Sequence, residues 1–177
     1  DGQLRVLTHS EADYSKRTQA FQAAIRDEVR RTGNGRVLVY VHGVSNGFED
    51  SLQTLANLWH FSGRRSTPIA FSWPAGNSGL LGYFRDREAG EFSVFHAKEF
   101  LRMVAAIPEV EDIDIVAHSR GTSVMTQALR EMVIFNRGRG VAPKLAMKTG
   151  TLILAAPDLD VGVVRQRLVS ERFSEAF

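Results

Sequence analysis

The sequence predicts an α/β fold, with an open and mostly parallel sheet that carries helices on both faces. Four short apolar runs have the length of buried strands, and amphipathic stretches separate them. Glycines and polar residues follow the carboxyl end of each run, where sheets of this kind bind their ligands. The 177 residues are the size of one domain, so a single domain over 1–177 is expected.

Apolar residues at helical spacing predict two helices in the first half of the chain. The first helix ends at Gly33 and leads into the valine-rich strand "RVLVYVHG". The second helix leads into the strand "TPIAFSWP". The residues expected to meet the core are Phe21, Ala24, Ile25 and Val29 in the first helix and Phe48, Leu52, Leu55 and Trp59 in the second.

The second half predicts two more strands, each followed by a helix. The glycine-rich stretch "AGNSGLLGYFRDREAG" is expected to be irregular. Helical spacing begins at about Glu91 and runs to Ala106, through Phe92, Phe95, Phe100 and Val104. "DIDIVAHS" is the third strand, and an apolar stripe follows it on a helix. "NRGRGVAPKLAMKTG" predicts a loop of unusual length. "TLILAAPDLD" is the fourth strand, with "GVVRQRLVSERF" as a last short helix.

The composition argues against several classes of protein. The 22 Lys+Arg residues nearly balance the 20 Asp+Glu residues, so charge does not indicate nucleic-acid or membrane-surface binding. Cysteine is absent, which excludes disulfides and thiolate metal sites. No apolar run reaches the roughly 18 residues that a membrane span needs. Neither metal-ligand spacing nor a G-x-x-x-x-G-K loop occurs, so we expect no metal and no cofactor.

Ser119 stands where the third strand turns abruptly into a helix. Nucleophilic serines occupy such elbows in the pattern G-x-S-x-G, because the strand and helix backbones nearly touch there. In this chain Ala117 and Gly121 take the two small positions. The amide groups at the start of the following helix favour negative charge at the same place. The pattern predicts that Ser119 is a nucleophile.

The alternative for Ser119 is a helix N-cap, since serine is a favoured capping residue. A lone S-x-G pattern is mostly of that kind. The buried strand before Ser119, the amphipathic helix after it and the small flanking residues favour the nucleophile.

The segment "VHGVSNG" after the first strand predicts the second part of a catalytic site. Acyl transfer needs two N–H donors for the oxyanion of its tetrahedral intermediate. We expect one from Arg120, after the nucleophile, and the other from Val44. Gly43 would let the backbone approach closely. His42 is expected to orient this loop instead of acting as a base.

Five segments, in a fixed order, resemble a bacterial α/β-hydrolase family of unassigned function. They are "VLVYVHGVSNGFEDSL", "IAFSWPAG", "GYFRDREA", "DIDIVAHSRG" and "TLILAAPDLD". The family's members look like "VHGYNNSFEDAL", "FSWPS", "YxxDRESA", "IIAHSMGN" and "LAAPDID". The resemblance covers about Arg36 to Val164.

The resemblance implies an α/β-hydrolase sheet and a serine hydrolase, with Ser119 attacking a small-molecule ester or acyl substrate. Three places depart from the family pattern. Val44 and Ser45 stand where Tyr-Asn is usual, Arg120 replaces Met and Thr122 replaces Asn. A guanidinium at Arg120 would lie at the mouth of the pocket, so the departures concern substrate preference more than reaction class.

The histidine that would activate Ser119 is missing from the expected place. The order in these hydrolases is Ser, then Asp or Glu, then His. Members of the resembled family continue with another strand, an acidic residue and a late histidine. We therefore expect that the C-terminal strands of the domain are missing from this sequence, as in a fragment or a degenerate copy. All five histidines precede Ser119, and they are His9, His42, His60, His96 and His118.

Three further features have two interpretations each. Asp158 at the end of the fourth strand is a candidate triad acid, although it and Asp160 could also cap the next helix. Trp73 is either core or a wall of the substrate pocket. A charged cluster is either a solvated loop or a lid over the pocket, and it consists of Tyr83, Arg85, Asp86 and Arg87.

The sequence therefore predicts a carboxylic-ester hydrolase that acts through Ser119. The rival hypothesis is a non-catalytic, hydrolase-like binding domain, because no histidine follows the nucleophile. A nucleotide-binding sheet is a weaker alternative, since no glycine-rich fingerprint follows the first strand. The oligomeric state and the compartment are left open.

Overall fold

Helices and strands alternate along the chain, in the computed structural model that describes residues 9–44, 46–75 and 79–177. The strands are β1 (Arg36–Val41), β2 (Thr67–Phe71), β3 (Asp112–His118) and β4 (Thr149–Ala155). The helices are α1 (His9–Thr32), α2 (Phe48–Phe61), α3 (Gly79–Ala105), α4 (Gly121–Gly138), α5 (Pro143–Met147) and α6 (Val161–Val164). A π-helical segment, Arg165–Ser170, continues α6, and a 3₁₀ turn, Phe173–Ala176, follows it.

The four strands run parallel in one sheet, in the order β2-β1-β3-β4. Near the middle of β1, Val39 pairs with Ile69 of β2 and with Ile115 of β3. Parallel neighbours need a crossover connection, and a helix lies in each connection between consecutive strands. The prediction of an α/β fold with a parallel sheet is confirmed.

Apolar side chains cover the two faces of the sheet unequally. On one face α1, α3 and α4 pack a large cluster around β1 and β3, in which Val39, Ile115 and Leu129 are fully buried. On the other face α2 packs a smaller cluster, with Leu55 against Tyr40. Removal of these side chains from water is the main force that holds the layers together.

The order of the strands creates a crevice between β1 and β3. From β1 the chain moves outward to β2, and it then returns past β1 to form β3 on the other side. Ligands of open α/β sheets bind at such a reversal, beyond the carboxyl ends of the strands. The segments that begin at His42 and Ser119 follow β1 and β3, so the topology places both of them at this crevice.

The glycine-rich stretch before Glu91 is helical from Gly79 onward, so the prediction of an irregular segment is wrong there. α3 runs for 27 residues, and Gly82, Asp86 and Gly90 lie buried along its inward face at four-residue intervals. A Cβ atom at Gly90 would lie 3.7 Å from the Trp73 ring. Close packing at these small residues outweighs the low helix propensity of glycine. Residues 76–78 of this stretch lie outside the described part.

Several residues that were predicted to meet the core are exposed. Helical spacing shows which side chains share a face, but the width of the buried stripe depends on the neighbouring elements. In α2, for example, only Ser51 and Leu55 are buried. The exposed residues are Ala24, Phe48 and Leu52, and in α3 Phe92 and Phe95 of the predicted helical spacing are exposed as well.

The prediction of a long loop over "NRGRGVAPKLAMKTG", before β4, is also wrong. α4 continues to Gly138, and the short helix α5 fills Pro143–Met147. Pro143 at the first turn starts α5, because its fixed φ suits that position. The connecting segments are therefore short.

Candidate active site

Ser119 adopts a left-handed backbone conformation at the turn from β3 to α4, with φ 49°. Residues other than glycine rarely adopt this conformation, because the Cβ atom is crowded. Hydrogen bonds from both sides hold the turn in place. The Ser119 N–H donates to the Ala155 carbonyl at 2.9 Å, and the Ser119 carbonyl accepts from Thr122 N at 3.1 Å and from Thr122 Oγ1 at 2.6 Å.

The Ser119 side chain does not cap α4. Arg120 occupies the N-cap position, and no side chain makes a capping hydrogen bond there. Within the described part of the chain, no hydrogen bond engages the Ser119 hydroxyl. The geometry therefore disagrees with the capping interpretation and leaves the hydroxyl available for chemistry.

Two glycines let the loop after β1 touch the elbow. A Cβ atom at Gly43 would lie 2.7 Å from Cβ of Ser119. A Cβ atom at Gly121 would lie 2.5 Å from the His42 carbonyl oxygen and 2.9 Å from that of Val41. Real Cβ atoms do not approach this closely, so both positions require glycine. The close approach brings the segment after β1 against Ser119.

The two predicted oxyanion donors, Val44 and Arg120, lie in these touching segments. Neither of their backbone N–H groups donates to an acceptor among the residues that the structure describes. Backbone N–H groups in folded proteins are nearly always paired. Two N–H groups without a described acceptor, beside a strained serine, are therefore suited to donate hydrogen bonds to an anion. Ser45, which follows Val44, lies outside the described residues.

His42 is fully buried and is held by the backbone on both sides of its ring. Its Nδ1–H donates to the Gly43 carbonyl at 2.9 Å, and Nε2 accepts from the Trp73 N–H at 3.1 Å. Burial lowers the pKa of His42, and the Gly43 bond and the charges of Asp50 and Asp86 oppose this only in part. His42 is therefore a neutral ring that ties the loop after β1 to the segment after β2.

Trp73 is buried and belongs to the main core cluster, which agrees with the core interpretation. Its ring stacks on His42 with centroids 5.5 Å apart. Its indole N–H donates to the His42 carbonyl at 2.7 Å. The role of Trp73 is thus to support the loop that carries Gly43 and Val44.

The Arg120 side chain lies between two carboxylates from other elements. Its Nη2 is 3.6 Å from Glu91 Oε1 on α3, and its Nη1 is 3.9 Å from Asp158 Oδ2 after β4. Asp158 is also bonded to the elbow, because its N–H donates to the Ser119 carbonyl at 3.3 Å. The structure thus brings Ser119, Arg120 and Asp158 together.

Asp160, the neighbour of Asp158, is the residue that caps the following helix. Asp160 Oδ1 accepts from the N–H groups of Gly162 at 2.8 Å and Val163 at 3.1 Å. The capping interpretation therefore holds for Asp160. Asp158 points instead toward Arg120, beside the elbow.

None of the other histidines hydrogen-bonds Ser119 in the described part of the chain. His118 shares the strand face of Val116, which packs with α2, and its buried Nδ1 has no hydrogen-bond partner. His60 on α2 accepts from Arg64 at 3.1 Å. His96 on α3 is exposed, and His9 is the first residue of α1.

Asp86 lies inside the protein and not in a surface loop or lid. The charged cluster forms part of α3, where Arg85 and Arg87 are exposed and Asp86 is completely buried near His42. The side chain of Tyr83 lies outside the described part. The four-residue spacing of Gly82, Asp86 and Gly90 is a signal of one inward helix face that could have revealed this.

Comparisons with known proteins agree with this geometry. The model of a family described as "Alpha/beta hydrolase of unknown function (DUF900)" matches residues 17–175, which is wider than the segment from Arg36 to Val164 that carries the motifs. Neither the curated proteins nor the solved structures contain a match. No described helix is long and apolar enough to cross a membrane, and the described residues contain no group of three His, Asp or Glu fit to hold a metal. The family model spans most of the chain, and the protein belongs to this family of α/β-hydrolases.

Proposed function

We propose that the protein is a serine hydrolase that acts on carboxylic esters, with Ser119 as the nucleophile. Membership in an α/β-hydrolase family indicates hydrolase chemistry in general. The observation that carries the proposal is the conformation of Ser119, which is strained at φ 49° while its hydroxyl is left out of the capping of α4. Strain of this kind persists where the surroundings impose it, and it is concentrated at functional sites.

The expected reaction follows from the groups around Ser119. Ser119 Oγ attacks the ester carbonyl carbon, the alcohol leaves, and water then releases the acid from the acyl-enzyme. The N–H groups of Val44 and Arg120 donate hydrogen bonds to the carbonyl oxygen as negative charge develops on it. The start of α4 adds the favourable end of its helix dipole.

Asp158 is our candidate for the triad acid, because it lies against the elbow and near Arg120. The base that accepts the Ser119 proton is not assigned to a described histidine. His42 does not suit this role, since both of its ring nitrogens are engaged by the backbone. Activity is therefore to be measured on the intact protein.

A fluorophosphonate probe tests the nucleophile directly. We expect the intact wild-type protein to be labelled at Ser119, as read by mass spectrometry of the labelled peptide, and Ser119→Ala to abolish labelling. Ser62→Ala is the matched control, because Ser62 is an exposed serine at the end of α2 and should not alter labelling. If the wild type is not labelled and Ser119→Ala hydrolyses a panel of short esters as fast as the wild type, the proposal is wrong.

The second candidate function is a non-catalytic binding domain. The observation that favours it is the charged Arg120 between Glu91 and Asp158, next to a serine that no described histidine hydrogen-bonds. The same experiment separates the two functions, because a binding domain would give neither probe labelling nor ester hydrolysis.

A further inference from the structure

The side chain next to Ser119 is a guanidinium that is largely removed from water. The Arg120 side chain is only 13% exposed, and its Nε is buried without a hydrogen-bond partner. Removal of a charged group from water is costly unless hydrogen bonds replace its hydration. The fold therefore keeps a guanidinium beside Ser119 whose Nε–H donor has no partner among the described residues.

The two carboxylates near Arg120 face its Nη1 and Nη2 groups but lie too far away to hydrogen-bond them. Their distances of 3.6 Å to Glu91 and 3.9 Å to Asp158 exceed the roughly 2.7–3.2 Å of an N–H···O hydrogen bond. The Glu91 and Asp158 side chains are 62% and 41% exposed, so water screens both charges. These contacts are attractions between charges without donor–acceptor bonds.

A guanidinium with free donors is suited to a planar anion. Its fork of N–H groups matches a carboxylate, with charge-assisted hydrogen bonds of about 2.7–2.9 Å. The neutral part of an ester offers no such partner. The three side chains together carry one positive and two negative charges, so a singly charged group is repelled less than a dianion such as phosphate.

We propose, on the basis of the function proposed above, that the site selects esters which carry a free carboxylate and that Arg120 binds this carboxylate. Asp158 stays in place during binding, because its backbone is bonded to Ser119. Glu91 is the group that gives way. It is the most exposed of the three side chains, and breaking an exposed ion pair costs little.

The test compares two esters of similar size on the intact protein, monomethyl glutarate with a carboxylate and methyl pentanoate without one. The quantity measured is the ratio of their kcat/KM values, from methanol release. We expect Arg120→Met to lower this ratio about tenfold or more, as is usual when a hydrogen bond to a charged group is lost. Methionine suits the position, since it is the residue of the resembled motif "AHSMGN".

Two further variants make the test specific. Glu91→Gln removes the competing charge and is expected to raise the ratio about two- to fivefold, in line with a weak ion pair. Arg139→Met is the matched control, because Arg139 is an exposed arginine at the far end of α4. A ratio that is the same in the wild type and Arg120→Met would overturn the inference.

A binding measurement keeps the inference separate from the proposed function. If neither ester is hydrolysed, the proposed catalysis is wrong, and calorimetric titration of monomethyl glutarate into the Ser119→Ala protein decides about Arg120. Binding that is lost when Arg120→Met is added supports the carboxylate site. Absence of binding to Ser119→Ala overturns it.

Discussion

Backbone strain at a single residue, Ser119, links the fold to the chemistry. The left-handed conformation is unfavourable for serine, and hydrogen bonds to Ala155 and Thr122 on either side of the elbow stabilise it. No side chain makes a capping hydrogen bond at the start of α4, so the Ser119 hydroxyl is not engaged there. The strained backbone thus lowers the stability of the fold locally, at the residue that we propose as nucleophile.

Replacement of Ser119 should separate stability from activity. We expect Ser119→Gly to be about 1 kcal/mol more stable than Ser119→Ala, because glycine adopts a positive φ without crowding of Cβ. Both variants should lose probe labelling. Urea denaturation gives the free energies of unfolding, and a glycine variant no more stable than the alanine variant would show that the elbow is not strained.

At the same scale, the elbow could be predicted from sequence, but the surroundings of Arg120 could not. Ala117, Ser119 and Gly121 lie within five consecutive positions, so one short pattern contains their relation. Glu91 and Asp158 come from α3 and from the end of β4. Only the packing of those elements brings the carboxylates to the guanidinium.

At the scale of elements, α3 shows why local propensity was a poor guide. Its first part contains Gly79, Gly82 and Gly90, and glycine is about 1 kcal/mol less favourable in a helix than alanine. The structure makes it helical, with Gly82, Asp86 and Gly90 buried against the interior, and at Gly90 only a small side chain fits beside Val124 and Trp73. Sequence spacing alone does not reveal how close the neighbour will be.

The space at Gly90 leads to a prediction about the stability of α3. A Cβ there would meet Val124 Cγ2 at 3.5 Å and Trp73 at 3.7 Å, which are ordinary contacts. We expect Gly90→Ala to raise the free energy of unfolding by about 0.5–1 kcal/mol, since it removes the entropic cost of a helical glycine.

The matched variant Gly90→Leu should lower the free energy of unfolding by about 1–3 kcal/mol, because the larger side chain overfills the space. Chemical denaturation measures both variants. Loss of stability in the alanine variant would contradict the close but unstrained approach of α3 to Trp73.

At the scale of the whole molecule, the sheet topology assembles the site. The order β2-β1-β3-β4 makes β1 and β3 neighbours, although β2 and α3 separate them in sequence. His42 is buried at this junction and joins the ends of β1 and β2 through Gly43 and Trp73. Its neutral state is therefore coupled to the folding of the entire domain.

This coupling predicts a pH dependence of stability. The folded-state pKa of His42 is lowered, so as pH falls below about 6.5 the unfolded chain binds a proton that the folded chain does not. Stability should then decrease toward the folded pKa, by at most about 1.4 kcal/mol per pH unit. The contribution is fully present above pH 6.5 and is lost at lower pH.

The measurement is the free energy of unfolding of wild type and variants between pH 7.5 and 5.5 (a working range chosen around the usual histidine pKa of about 6.5). His42→Gln should be less stable at neutral pH, and its stability should vary less with pH. His60→Gln is the control, since His60 is exposed on α2, and it should keep the wild-type slope. An unchanged slope in His42→Gln would be evidence against the buried neutral ring.

The sequence by itself determined the α/β class, the parallel strands and the positions of Ser119, Gly43 and Val44 at strand ends, because these depend on patterns of a few adjacent residues. Tertiary structure decided that α3 starts at Gly79, that Phe92 and Phe95 are exposed and that Trp73 belongs to the core. It also decided that Glu91 and Asp158 meet Arg120. The physical reason is that burial and charge contacts depend on which distant elements pack together, and a local pattern contains no information about those neighbours.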